Sequence, residues 1–261
     1  MELSLTHRHA LIGGGSQGIG RAAALELAQL GADVTVIGRD EARLHATLAE
    51  LTAIRRGRHH ALVADYADRT ALGQIAGDWL AQHPAQILVN NTGGPPPGPI
   101  EHASDEAFLD TFGQHLLCNQ LLTRRVLPGM RAAGYGRVVN VISTSVREPI
   151  KGLGVSNTVR GAVASWAKTL ATELAPEGIT VNNVLPGFTR TARLDGLIAG
   201  KMKTSGASED AVAAGMKSVV PMGRFADAAE VAAAIAFLAS PAASYITGVS
   251  LAVDGGRTLC L

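Results

Sequence analysis

The sequence predicts an α/β protein with a doubly wound, seven-stranded parallel sheet carrying helices on both faces. Seven short apolar runs recur along the 261 residues, longer stretches of helical period separate most of them, and Gly, Pro or polar residues bound each run. Hydrophobic residues make up 47% and charged residues 17%, enough apolar material to cover both faces of such a sheet. No linker-like stretch divides the chain, so residues 1–261 are expected to form a single domain.

The strands are predicted at His9 to Ile12, Asp33 to Ile37, His60 to Val63, Gln86 to Asn90, Gly136 to Ile142, Ile179 to Leu185 and Val249 to Val253. Apolar residues three or four apart predict helices at Gly18 to Leu30, Glu41 to Arg55, Arg69 to Gln82, Asp105 to Arg131, Val155 to Leu174 and Ala228 to Ala239. Right-handed crossovers then wind the helices onto both faces. Two segments interrupt the alternation. TGGPPPGP, Thr92 to Pro99, holds too many Gly and Pro residues for helix or strand and is expected to be a stiff loop leaving the fourth strand. Phe188 to Pro221 has weak periodicity and a polar run, Lys201 to Asp210. It follows a strand's carboxyl end, where open α/β sheets place ligands, and reads as a mobile substrate lid.

The charge excludes some partners. The 23 basic and 22 acidic residues are spread along the chain, for a formal charge of +1, and no basic stripe stands ready to neutralise nucleic-acid phosphates. Cys118 and Cys260 lie far apart without metal-ligand spacing, which predicts no metal site, no disulfide framework and a reducing, cytoplasmic setting. No stretch reaches the ~20 apolar residues of a membrane span, and the N-terminus lacks the basic-then-apolar pattern of a signal peptide.

ALIGGGSQGIGRAAALELAQLGADVTVIGRD carries the most chemistry. A predicted strand runs straight into Gly13, Gly14, Gly15, Gly18 and Gly20, and a helix starts inside that loop. Glycines let the backbone turn tightly and approach a pyrophosphate, while the helix N-terminus turns free N–H groups and a partial positive charge toward it. With a second strand following at the right distance, this is the dinucleotide cradle of a Rossmann fold. Arg39 follows the second strand, where a carboxylate would hold the ribose hydroxyls of NAD(H). A guanidinium there pairs with a 2′-phosphate instead, so NADP(H) is expected over NAD(H).

Over nearly its whole length the chain resembles the classical short-chain dehydrogenase/reductase family, in its 3-oxoacyl-reductase-like branch. The family's TGxxxGIG loop matches Gly13 to Gly20. NNTG at Asn90 to Gly93 is similar to its NNAG, and PGF at Pro186 to Phe188 to the segment beside the nicotinamide. GRF at Gly223 to Phe225, SYITG at Ser244 to Gly248 and VDGG at Val253 to Gly256 follow its C-terminal pattern. The resemblance implies cofactor contacts from Gly14, Ser16, Gly18, Ile19, Gly20, Arg39, Asp65, Asn91, Gly93, Pro186 and Gly187, and from Arg160 to the nicotinamide ribose.

The same resemblance places the family's catalytic serine on Ser143, its YxxxK tyrosine and lysine on Ser156 and Arg160, and its helix asparagine on His115. A serine hydroxyl is a weaker acid than a phenol and reaches less far. Arginine keeps lysine's charge but stays protonated. An imidazole at position 115 titrates near neutrality when unperturbed and is a candidate proton source. The leading expectation is an NADP(H)-dependent reductase of a carbonyl, a 3-oxoacyl thioester or related small molecule, working through an altered proton donor. A cofactor-binding sensor or assembly subunit without turnover also fits these replacements, as does elimination or isomerisation in the same pocket. The long helices and the apolar tail Leu259, Cys260 and Leu261 are expected to build a homo-oligomer, a tetramer or a dimer, as the family does.

Overall fold

A computed structural model describes residues 1–260 of the chain; Leu261, the last residue of the apolar tail, lies outside the described residues. Strand and helix alternate as β1 (His9–Gly13), α1 (Gly18–Gln29), β2 (Asp33–Gly38), α2 (Glu41–Ile54), β3 (His60–Val63), α3 (Arg69–Gln82) and β4 (Ile87–Asn90). The second half continues with α4 (Asp105–Phe112), α5 (Cys118–Ala132), β5 (Gly136–Val141), α6 (Gly154–Leu174), β6 (Ile179–Pro186), α7 (Ala192–Ser205), α8 (Glu209–Lys217), α9 (Ala228–Ala239) and β7 (Ser250–Val253). The seven strands form one sheet in the order β3-β2-β1-β4-β5-β6-β7, and every neighbouring pair is parallel. The winding direction reverses between β1 and β4. The carboxyl ends of the strands diverge there and leave a crevice.

Strands covered on both faces need apolar residues on both, and β4, β5 and nearly all of β6 are buried throughout. One face packs Ala23, Ala24 and Leu27 of α1 with Leu44 and Leu51 of α2 and Val231 and Ile235 of α9. The other packs Leu72 and Ala76 of α3 with Leu122 and Val126 of α5 and Ala167 and Ala171 of α6. Helix starts follow local chemistry. Asp40, Asp68, Ser104 and Ser208 each accept a backbone N–H three residues on, at 2.9–3.3 Å, and Asp227 with Glu230 forms a capping box on α9.

Two expectations need correction. The helix predicted from Asp105 to Arg131 is not regular: α4 ends at Phe112, Gly113–Leu117 winds one π-helical turn, and α5 then runs to Ala132. Apolar spacing does not distinguish that wider turn from α-helix, because the hydrophobic face continues through it. The 188–221 segment, weak in period, holds two helices, α7 and α8. Leu194, Ile198, Met216 and Phe225 give them a small core of their own, while Gly196, Gly200 and Gly215 on their other faces dilute the sequence pattern. Gly206, at φ +69°, adopts the left-handed conformation that ends α7.

Four adjacent strands are tied by a polar row, buried at Asn90, Asn140 and Asn183. Asn90 of β4 donates to Asn140 of β5 (2.9 Å), Asn140 donates to Asn183 of β6 (3.0 Å), and Asn183 donates to Ser250 of β7 (3.1 Å). The backbone register sets the same four residues side by side. Replacing Asn140 by Ala breaks two links and leaves Asn90 Nδ2 and Asn183 Oδ1 buried without those partners. Asn140→Ala is therefore expected to lower unfolding free energy by about 2–3 kcal/mol in urea titration.

Candidate active site

A cavity of about 750 Å³ opens at the carboxyl ends of the strands. Every cofactor and catalytic position expected from the sequence, apart from Gly20, contributes to its lining. Gly20 sits just behind. A Cβ there would lie 2.2 Å from the Gly14 carbonyl oxygen, and one on Gly14 2.6 Å from Asn91 Nδ2. Gly14 and Gly18 are left-handed at φ +57° and +55°. The Asn91 side chain donates to the Gly13 carbonyl at 3.1 Å and ties the glycine loop to the end of β4. Gly187 passes so near Asp254 that a Cβ would meet its Cα at 2.7 Å.

These residues fit a dinucleotide. The N-terminus of α1 has no side-chain cap and no acidic residue in its first turn, so its N–H groups face the cavity uncommitted. Arg39 is exposed at the end of β2, and Ser16 Oγ lies 3.4 Å from where a Gly38 Cβ would be. Asp40, the next residue, caps α2 through the Arg43 N–H and pairs with the Arg43 guanidinium at 3.1 Å. Asp65 Oδ1 accepts the Ala67 N–H at 2.9 Å on the far wall.

The opposite end of the cavity is built by β5, the π-helical turn and α6. Ser143 Oγ accepts the Ser145 N–H at 3.1 Å and so caps a short turn, which leaves its own hydrogen free to be donated. Ser156 lies in the first turns of α6, and Arg160, one turn later, donates Nε–H to Ser156 Oγ at 3.2 Å. Arg160 Nη1 also donates to the carbonyls of Ile142 (2.7 Å) and Val141 (3.2 Å). The TGGPPPG loop is pinned beside them. The Gly98 N–H donates to the Gly152 carbonyl at 2.7 Å and the Gly154 N–H to the Gly98 carbonyl at 3.1 Å, and a Gly154 Cβ would strike Ile100 at 2.5 Å.

His115 behaves differently from its sequence expectation. It is 5% exposed, donates to the Gly93 carbonyl, and burial together with the Arg160 charge pushes its pKa to about 3. The imidazole is therefore neutral near pH 7, not poised to titrate there. None of the tyrosines offers a phenol to this end of the cavity. Tyr66 OH is buried against the back of Gly13, Tyr135 OH donates to the Ala239 carbonyl, and Tyr245 is fully exposed outside the cavity. Two features escaped the sequence reading: the Asn90–Asn140–Asn183 row, legible only as polar residues inside strand runs, and Arg193, at the start of α7, which lines the cavity beside Gly94.

Comparison with known proteins places the molecule. A family profile described as Enoyl-(Acyl carrier protein) reductase matches residues 14–258. An uncharacterised oxidoreductase of Mycobacterium tuberculosis is 34% identical over 97% of this chain and 93% of its own length. The 3-oxoacyl-(acyl-carrier-protein) reductase FabG of Haemophilus influenzae is 35% identical over 96% of this chain and 98% of its own. The crystal structure of L-sorbose reductase from Gluconobacter frateurii, complexed with NADPH and L-sorbose, superposes with a TM-score of 0.93 at 29% identity, covering 100% of both chains. The chain belongs to the classical short-chain dehydrogenase/reductase family. Its cofactor class is accordingly a nicotinamide dinucleotide, and among the described residues no helix is long and apolar enough to cross a membrane.

The depressed pKa of His115 makes a stability prediction. The unfolded chain takes up a proton near pH 6.5 that the folded chain refuses until about pH 3, so the contribution is whole above 6.5 and lost as pH falls through that window. Removing the group in His115→Asn is expected to flatten the fall in unfolding free energy between pH 6.5 and 5, read by urea titration, by on the order of 1 kcal/mol per pH unit.

Proposed function

We propose that the protein is an NADP(H)-dependent reductase of a carbonyl group, on a 3-oxoacyl or related small molecule, in which Ser156 and Arg160 stand where the family's tyrosine and lysine work. The observation that carries this reading is the 3.2 Å hydrogen bond from Arg160 Nε to Ser156 Oγ inside the dinucleotide cavity. Because Ser156 Oγ accepts that bond, its own hydrogen is free for a substrate oxygen, and the adjoining cation favours the alkoxide left behind. Arg160 is itself easier to deprotonate than an ordinary arginine: burial and the Arg193 charge bring its pKa to about 10.

When bound, the nicotinamide supplies hydride to the carbonyl carbon. Ser143 donates a hydrogen bond to the carbonyl oxygen as it gains charge, and Ser156 delivers the proton to it. Arg160 holds Ser156 in place against the carbonyls of Val141 and Ile142, and neutral His115 holds the Gly93 carbonyl at the cavity wall. Water restores the serine hydroxyl. NADP(H) over NAD(H) is supported by the exposed Arg39 and by Asp40 being committed to a helix cap. The α7–α8 segment serves as the substrate lid. Oligomer formation is supported by the open sheet edge at β7, where Val249, Leu251 and Leu259 are exposed.

NADPH oxidation followed with a panel of 3-oxoacyl thioesters, ketones and aldehydes tests the activity. Consumption is expected, and binding without consumption across the panel would overturn it in favour of a sensor. Ser156→Ala is expected to cut kcat by roughly 10² or more while leaving the NADPH dissociation constant within about twofold. Arg39→Asp is expected to weaken NADPH binding by about 10- to 100-fold and to leave NADH nearly unchanged, as read by nicotinamide fluorescence.

A further inference from the structure

Two guanidinium groups meet in the cavity with no acid between them. Arg160 comes from α6 and Arg193 from the first turn of α7, on the opposite wall. A Cβ placed on Gly94 would lie 3.4 Å from Arg160 Nη2, 3.4 Å from Arg193 Nη2 and 3.5 Å from Arg193 Cζ, so both side chains close on the same point of the TGGPPPG loop. Arg160 spends Nε and Nη1 on Ser156 and two carbonyls, which leaves Nη2. Among the described residues Arg193 donates no hydrogen bond, and neither arginine has a carboxylate within 4 Å. The arginine ion pairs among the described residues all lie elsewhere. The acids on the cavity wall, Asp65 and Asp110, pair with neither.

Burial depresses both arginines, and the Arg193 charge depresses Arg160 further. Half-buried cations that repel each other are costly unless an anion offsets them, and a forked guanidinium pair suits a planar carboxylate. The glycine loop and the N-terminus of α1 already provide for the pyrophosphate of a dinucleotide. The Arg160 end of the pair is bonded to Ser156, the chemical end of the cavity.

We infer that Arg160 Nη2 and Arg193 form a carboxylate clamp, so that the substrate is a free oxo acid whose carboxylate sits between the two guanidiniums and whose carbonyl faces Ser143 and Ser156. This narrows the substrate class of the reductase reading and rests on it for turnover, though not for binding. Arg193 is a specificity residue here and takes no part in proton or hydride transfer. An anionic oxygen at the pair could also belong to the cofactor, two residues from Thr191 and its neighbour Gly18, and the experiment separates the two sources.

Calorimetry on the full chain saturated with NADP⁺ would compare butanoate with butanamide, which cannot be reduced. NADPH oxidation would then compare acetoacetate and 4-oxopentanoate with their methyl esters. Butanoate is expected to bind at least about tenfold more tightly than butanamide, and each acid to exceed its ester by about tenfold in kcat/KM. Arg193→Gln is expected to abolish both preferences with NADPH affinity and unfolding midpoint unchanged. Butanoate selectivity without turnover of any compound keeps the clamp and overturns the reductase reading. Turnover with esters equal to acids, and no butanoate preference, overturns the clamp and keeps the reductase. A tenfold loss of NADPH binding in Arg193→Gln, with butanoate unaffected, assigns the pair to the cofactor's phosphates and also overturns the clamp. Should Arg193→Gln fail to fold, the wild-type comparison of butanoate with butanamide decides alone.

Discussion

Parallel strands have no hairpins to fix their register, so something else must hold their ends in line. In this protein that constraint is the row of amides from Asn90 through Asn140 and Asn183 to Ser250, buried where apolar side chains would otherwise sit. Each amide donates to the next residue of the row, a pattern available only in the register that pairs Asn90 with Asn140, Asn140 with Asn183 and Asn183 with Ser250. A slip of one residue would turn these groups to the other face and strand them without partners. Residues that line the cavity follow directly from the row: Asn91 is the next residue after Asn90, Ser143 comes three after Asn140, and Gly187 four after Asn183.

The second constraint is closeness. At Gly14, Gly20 and Gly187 the backbone runs within bonding reach of Asn91, the Gly14 carbonyl and Asp254, distances that leave no volume for a methyl group. Tyr66 fills the space behind Gly13, so the loop is supported from beneath as well as tied by Asn91. A rigid cradle of this kind presents the α1 N-terminus to an anion at fixed geometry, and its cost in chain entropy is met by packing of α1 on the sheet.

Electrostatics divides the cavity into two ends. At one end Arg39 and Asp65 are exposed to water, where charges are screened and cheap. At the chemical end Arg160, Arg193 and His115 share a partly dehydrated space with no nearby carboxylate, and the least costly arrangement keeps His115 neutral and both arginines charged. Ser156, Arg160 and His115 adjoin there. An asparagine in place of His115 would carry no titratable group, and a lysine in place of Arg160 could not bond Ser156 and two carbonyls while keeping an N–H fork free.

By itself the sequence determined the layered α/β architecture, the seven strands, most of the helices and the glycine cradle, because each is written locally: short apolar runs, apolar residues three or four apart, and glycines where the backbone must turn or crowd. The tertiary structure alone decided that Asp105 to Arg131 winds a π-helical turn, that His115 is dry, that Asp40 is spent on a cap, and that α7 brings Arg193 to Arg160 across the TGGPPPG loop. Those outcomes depend on which segments distant in the chain come to lie side by side. Burial, charge neighbours and hydrogen-bond partners are properties of that packing, and spacing along the chain does not contain them.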